Sequence, residues 1–136
     1  MKSADTGAEL SFAFPGYYGE MRRDDYLDID FCSRHLSCQL SVWLHDGDRN
    51  SLAALFSEMA EDWRGWKADK KWISAEADLQ LICCADRLGH ISIEVEFSQQ
   101  RSSEPWFSTF TVTTEAGQLE RLAREAHQVL CIGENV

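Results

Sequence analysis

Proline is nearly absent: Pro15 and Pro105 are the only two in 136 residues. No proline-rich linker divides the chain, and a single domain over residues 1–136 is the expected organisation. No apolar run approaches the ~20 residues that cross a bilayer. The opening MKSADTGAELSF lacks the apolar stretch of a secretory leader. A cytoplasmic protein is therefore expected. Basic residues are scarce, with 13 Lys and Arg against 23 Asp and Glu and a net charge of −10 at pH 7. Duplex nucleic acid is bound by a basic face that displaces counterions, and anionic lipid attracts the same sign of charge. Neither nucleic acid nor membrane is expected as a partner. The five cysteines are odd in number, form no C-x-x-C, and include the adjacent pair Cys83 and Cys84. Reduced thiols serving as small apolar side chains are the expected use.

Catalytic signatures are missing as well. There is no G-x-S-x-G, no phosphate-binding loop, no H-E-x-x-H and no G-x-G-x-x-G before a helix. His35, His45, His90 and His127 are scattered among turns, a strand edge and a helix. Cys32, Cys38, Cys83, Cys84 and His90 are zinc-type ligands. Their spacing is poor, however, and strand parity sends Cys32 and Cys38 to opposite faces. The expectation is a non-enzymatic protein with no catalytic residue, no cofactor and no metal.

What is present suffices for a core: 44% of the residues are hydrophobic and 11% aromatic. A chain of this size buries about two-thirds of its surface on folding. Period-two alternation marks strands. In Tyr26–Cys32, Leu27, Ile29 and Phe31 alternate with Asp28 and Asp30. In the next run Cys38, Leu40, Val42 and Leu44 alternate with Gln39, Ser41 and Trp43, and the short interval between the two runs predicts a hairpin. A strand near Glu9–Phe14 is expected to end at Pro15-Gly16, with Gly19–Asp25 as a loop. After a turn at His45–Asp48, Asn50 or Ser51 is expected to cap a helix. Its stripe is Leu52, Leu55, Phe56, Met59, Ala60 and Trp63, and Gly65 is placed to stop it.

A second round starts near Trp72. Leu79, Leu81, Cys83 and Ala85 form one strand face. Asp86–Gly89 turns the chain, and Ile91, Ile93, Val95 and Phe97 alternate with Ser92, Glu94 and Glu96. A polar loop over Ser98–Glu104 leads to a strand at Trp106–Thr113. Thr113 or Thr114 is the expected cap of a last helix with the stripe Leu119, Leu122, Ala123, Ala126 and Val129 or Leu130. The order strands-helix-strands-helix predicts an α+β fold: a mainly antiparallel sheet with two helices packed on one face, a two-layer sandwich.

The same parity predicts the opposite sheet face. Asp28, Asp30, Glu94 and Glu96 point away from the helices, with Trp43, Gln39, Thr109 and Thr111 beside them. Aromatic side chains are enriched among interface hot spots, and clustered acids steer a basic partner. Asp28, Asp30, Trp43, Glu94 and Glu96 are therefore the candidate partner-binding residues. Paired carboxylates two residues apart on a strand, roughly 7 Å, also suit acid catalysis or a hard cation. An open sheet face lacks the water-excluding pocket that such chemistry needs. Two alternatives stay open. One is a small ligand-binding module or enzyme with an aromatic-lined pocket near Trp63, Trp66, Trp72 and Trp106, where Lys67, Lys70 and Lys71 add charge and core packing is expected of Trp63. The other is a subunit of a homo-oligomer.

Several stretches carry a resemblance. They are the Phe14-Pro15 pair, the strand pair before the first helix, W-x-S-A-E-A-D-L-Q-L from Trp72, D-R-L-G-H-I-S-I-E-V-E-F from Asp86 to Phe97, and TEAGQLERLA at Thr114–Ala123. Together, from about Phe12 to Val129, they resemble an uncharacterised family of small bacterial proteins. The layout is similar to that of WapI-type immunity proteins. The shared motifs are structural and carry no catalytic residue. The resemblance implies neutralisation of a cognate toxin by tight binding, without a cofactor. The partner would then be a basic toxin domain, a reading with which the charge of −10 agrees.

Overall fold

The computed structural model describes residues 7–13, 17–18, 21–22, 26–45, 47–99 and 103–130. The first strands are β1 (Glu9–Ala13), β2 (Tyr17–Tyr18), β3 (Met21–Arg22), β4 (Tyr26–Cys32) and β5 (Ser37–Trp43). Helix α1 (Asp48–Glu61) follows, then β6 (Lys70–Ile73), β7 (Leu79–Ala85), β8 (His90–Gln99) and β9 (Trp106–Glu115). A single 3-10 turn (Ala116–Gln118) leads into helix α2 (Leu119–Leu130). The class is the expected α+β, and every strand pairing is antiparallel.

The strands form two main sheets, ordered β1-β4-β5 and β6-β7-β8-β9. Hairpin spacing predicted one sheet, but among the described residues no hydrogen-bonded ladder joins the two. Strand β5 runs into α1 instead of a neighbouring strand, which releases β6 to begin a separate sheet. The inner faces are nevertheless parts of one hydrophobic cluster. Phe31 of β4 stacks on Phe110 of β9, ring centroids 4.2 Å apart at 17°, and Phe97 of β8 meets Phe110 edge-on at 5.7 Å. Helices α1 and α2 pack against one another and close the cluster with Leu52, Leu55, Phe56, Met59, Leu119, Leu122 and Leu130.

Several local expectations are corrected. The Pro15-Gly16 stop lies outside the described residues. Met21 and Arg22, read as part of a loop, pair with Tyr18 and Tyr17 as a two-residue ribbon. Asn50 and Ser51 do not cap α1. Gly47 does, with φ +92° and no side-chain cap bond, because only a residue tolerant of positive φ reverses the chain there. The Ser51 hydroxyl instead donates to the Asp48 carbonyl at 3.0 Å. Thr113 and Thr114 belong to β9, and the 3-10 turn separates them from α2. Trp63 lies beyond the end of α1 at Glu61 and is 54% exposed, not core. Its spacing continues the helical stripe, but the backbone has already left the helix. The Asp62 amide donates back to the Glu58 carbonyl at 3.0 Å, and the Gly65 amide to the Asp62 carbonyl at 2.8 Å.

Candidate functional site

Burial along β4 follows the pleat. Leu27, Ile29 and Phe31 are buried, whereas Asp28 is half-buried and Asp30 exposed. Three apolar side chains on the core side fix the strand's rotation, so both carboxylates stand on the outer face. Their cross-strand partners are uncharged: Ala13 and Ser41 flank Asp28, and Ser11 and Gln39 flank Asp30. The Ser41 hydroxyl donates to Asp28 Oδ1 at 2.5 Å, which holds that carboxylate against the sheet. Asp28, Ile29, Asp30, Gln39, Leu40 and Ser41 line a shallow depression of about 280 Å³. Trp43 is half-buried opposite Tyr26 on the same face, and its ring meets His45 edge-on at 4.0 Å.

Glu94 and Glu96 point outward from β8 but belong to the other sheet. Glu94 lies between Ile82 and Thr111, and Glu96 between Gln80 and Thr109. Lys71 is one strand beyond Ile82 in the same row. The structure thus brings Asp28 and Asp30 together, with Trp43 along the same sheet, and places Glu94 and Glu96 on the four-stranded sheet. The outward direction was legible in strand parity; the division between sheets was not.

The tryptophans near the end of α1 serve several different purposes. Trp72 is buried and its indole N–H donates to Ser51 Oγ at 2.8 Å. Trp66 is half-buried and donates to the Cys83 carbonyl at 2.9 Å. Trp63 and Trp106 are exposed, and the Arg64 guanidinium lies 5.0 Å from the Trp63 ring. Lys70 Nζ donates to Glu58 at 2.8 Å and to Asp62 at 2.7 Å, and lies 5.2 Å from the Trp66 ring. Burial works against the Lys70 charge, but the bonds to Asp62 and Glu58 prevail and its pKa is raised. Burial pushes the Cys83 thiol up to about 12, with the neighbouring Cys84 acting in the same direction. Among the described residues, no group of three or more His, Cys, Asp or Glu is placed to hold a metal ion, and no helix is long and apolar enough to cross a membrane.

A family model matches residues 1–132, nearly the whole chain. The chain belongs to DUF6228, a family of unknown function. No curated protein and no solved structure matches it. The uncharacterised family is thereby established, and every element from β1 to α2 falls within its boundaries.

Sequence reasoning missed several polar contacts. Ser41 restrains Asp28, and the alternation that put both outward was the available signal. The Asp86 carboxylate accepts from the Leu88 and His90 amides at 2.8 and 2.9 Å, and its Oδ2 lies 2.8 Å from His90 Nδ1. The amide bonds from His90 and Leu88 hold Asp86 below its ordinary pKa. Its position at the head of an Asp-x-x-Gly turn foreshadowed that role. The His45–Glu76 pair at 2.9 Å and the Ser57–His127 pair at 2.8 Å join residues far apart in the chain, with no sequence signal to link them.

Proposed function

We propose that this protein is a non-enzymatic, cytoplasmic binding protein that engages a basic protein surface through the outer face of β4 and β5. One observation carries the reading: Asp28 and Asp30 stand side by side on a sheet face, with no basic residue directly opposite either of them. Unneutralised carboxylates on a rigid sheet attract a cationic partner at long range and fix its register. Trp43, half-buried at the end of β5 on the same face, supplies the aromatic anchor that such interfaces favour. The resemblance to WapI-type immunity proteins supports a toxin as that partner. Many toxin active sites that act on nucleic acid are basic, and an acidic inhibitor can occupy them.

The test is co-expression with the product of an adjacent toxin-like reading frame, scored by growth protection and by titration calorimetry at several salt concentrations. Asp28→Lys with Asp30→Lys is expected to weaken binding about 10- to 100-fold, with loss of protection. Glu94→Lys with Glu96→Lys, on the other sheet, reports whether that face contributes. Undiminished binding and protection in the Asp28 and Asp30 variant would remove the β4–β5 face from the proposal.

A further inference from the structure

A half-buried indole at the end of a strand can turn about its side-chain torsions, and a partner that binds it must first remove that freedom. Trp43 ends β5, and its ring meets the His45 ring at 4.0 Å and 66°. His45 is itself held at both backbone and ring. Its amide donates to Asp48 Oδ2 at 2.9 Å, and its carbonyl accepts from the Asp48 amide at 3.0 Å. Its ring Nε2 lies 2.9 Å from Glu76 Oε1. An ionised carboxylate only accepts, so Nε2 carries the proton of that bond.

Glu76 lies in the link between β6 and β7, and so comes from the other sheet. The same Asp48 Oδ2 that holds the His45 amide also accepts from the Ala75 amide at 3.2 Å. Two side chains, Asp48 and Glu76, thus tie His45 to this link. The link is rigid where it presents Glu76. Ala77 has φ +63°, a conformation that a residue with a Cβ keeps only where its surroundings over-determine it. Here the Ala77 amide donates to the Ser74 carbonyl at 2.9 Å, and the Leu79 amide to Ser74 Oγ at 3.2 Å.

We infer, on the reading of Trp43 as the binding anchor, that His45 is a positioning residue for it. Glu76 fixes the imidazole, and the imidazole fixes the indole in the orientation that meets a partner. The series Trp43–His45–Glu76 carries that orientation from a turn of the four-stranded sheet to the outer face of β4 and β5. An anchor already oriented loses less freedom on binding, and affinity gains accordingly.

Fluorine NMR of protein labelled with 5-fluorotryptophan at all five tryptophans tests the coupling without a partner, with Trp43→Phe assigning the resonance. Glu76→Ala should shift the Trp43 signal when His45 is present and leave it unmoved in a His45→Ala background. Glu76→Gln, which keeps an acceptor oxygen, should restore the wild-type position. A Trp43 signal indifferent to Glu76→Ala, or displaced equally without His45, overturns the inference. Should Glu76→Ala not fold, the wild-type protein answers through pH, since histidine side chains change charge between about pH 5 and 8. Glu76 and Asp48 are the carboxylates that face His45. The Trp43 signal should then titrate in the wild type and not in His45→Gln, and a signal constant across that range also overturns the inference. Calorimetry with the product of the adjacent toxin-like reading frame supplies the second arm. His45→Ala should weaken binding about 3- to 10-fold, less than Trp43→Ala. Wild-type affinity in His45→Ala beside a loss in Trp43→Ala overturns the positioning role. Wild-type affinity in both, with the fluorine coupling present, removes Trp43 from the binding face and upholds the hold of His45 on the indole.

Discussion

Replacing Phe31 and Phe110 by leucine, singly and together, asks whether one core joins the two sheets. The rings stack at 4.2 Å, and each residue is only 6% exposed. Leucine keeps both positions apolar but removes the stack. Each single change should cost about 1.5 kcal/mol, below the loss for truncation to alanine. Phe110→Leu should cost more than Phe31→Leu, because it also loses the edge-on contact with Phe97. A stacked pair contributes about 0.5–1.5 kcal/mol beyond its buried area. Either single variant already forfeits that contribution, so the double variant should lose about 1 kcal/mol less than the sum of the two. Urea unfolding followed by far-ultraviolet circular dichroism and by tryptophan fluorescence supplies the four free energies. The two probes should also trace one coincident transition. Additivity within about 0.3 kcal/mol, or separate transitions for the two probes, would refute a core shared by both sheets.

Two further outcomes are expected. Lys70→Met removes the ammonium held by Glu58 and Asp62 and should cost about 1 kcal/mol at neutral pH, since both carboxylates remain half in water. The folded-state pKa of Lys70 is raised above 10.5, so its stabilisation is complete below 10.5 and is lost as the pH climbs through the folded value. Urea titrations at increasing alkalinity should show wild type and variant converging, and a constant gap would contradict the assignment. Alkylation at mildly alkaline pH, read by peptide mass spectrometry, should modify the exposed Cys32 in the native protein. Cys83, buried and with its thiol pushed up to about 12, should react only on unfolding; early labelling of Cys83 would contradict that burial.

Much of the architecture was readable because its signal is local. The alternation of Leu27, Ile29 and Phe31 with Asp28 and Asp30 gave β4 its boundaries and both its faces, and Ile91 to Phe97 set the two faces of β8, which runs on through Ser98 and Gln99, read as loop. The α1 stripe located Leu52, Leu55, Phe56 and Met59 in the core. Reading failed where the same periodicity ran past its element: Trp63 continues the α1 spacing after the helix has ended. It failed at the caps too, where Gly47 took a place read for Asn50 or Ser51, since a positive φ outweighed a side-chain hydrogen bond. At the candidate site, parity set Asp28, Asp30, Glu94 and Glu96 facing outward but could not tell that two sheets carry them. Nor did any pattern foretell that the Trp66 and Trp72 indoles turn their N–H groups inward, to the Cys83 carbonyl and the Ser51 hydroxyl.

On its own, the amino-acid sequence determined which side chains lie inward along each strand and helix, and hence the α+β class and an outward set of acids. A pleat alternates at every residue and a helix turns every 3.6, so neighbours in the chain settle those choices among themselves. Tertiary structure alone decided the division of the described strands into two main sheets, the Phe31–Phe110 stack that joins them, and the separation of Asp28 and Asp30 from Glu94 and Glu96. Each depends on which distant strands share a ladder. That choice follows from hydrogen bonding and burial summed over the whole molecule, and no short stretch of chain encodes it.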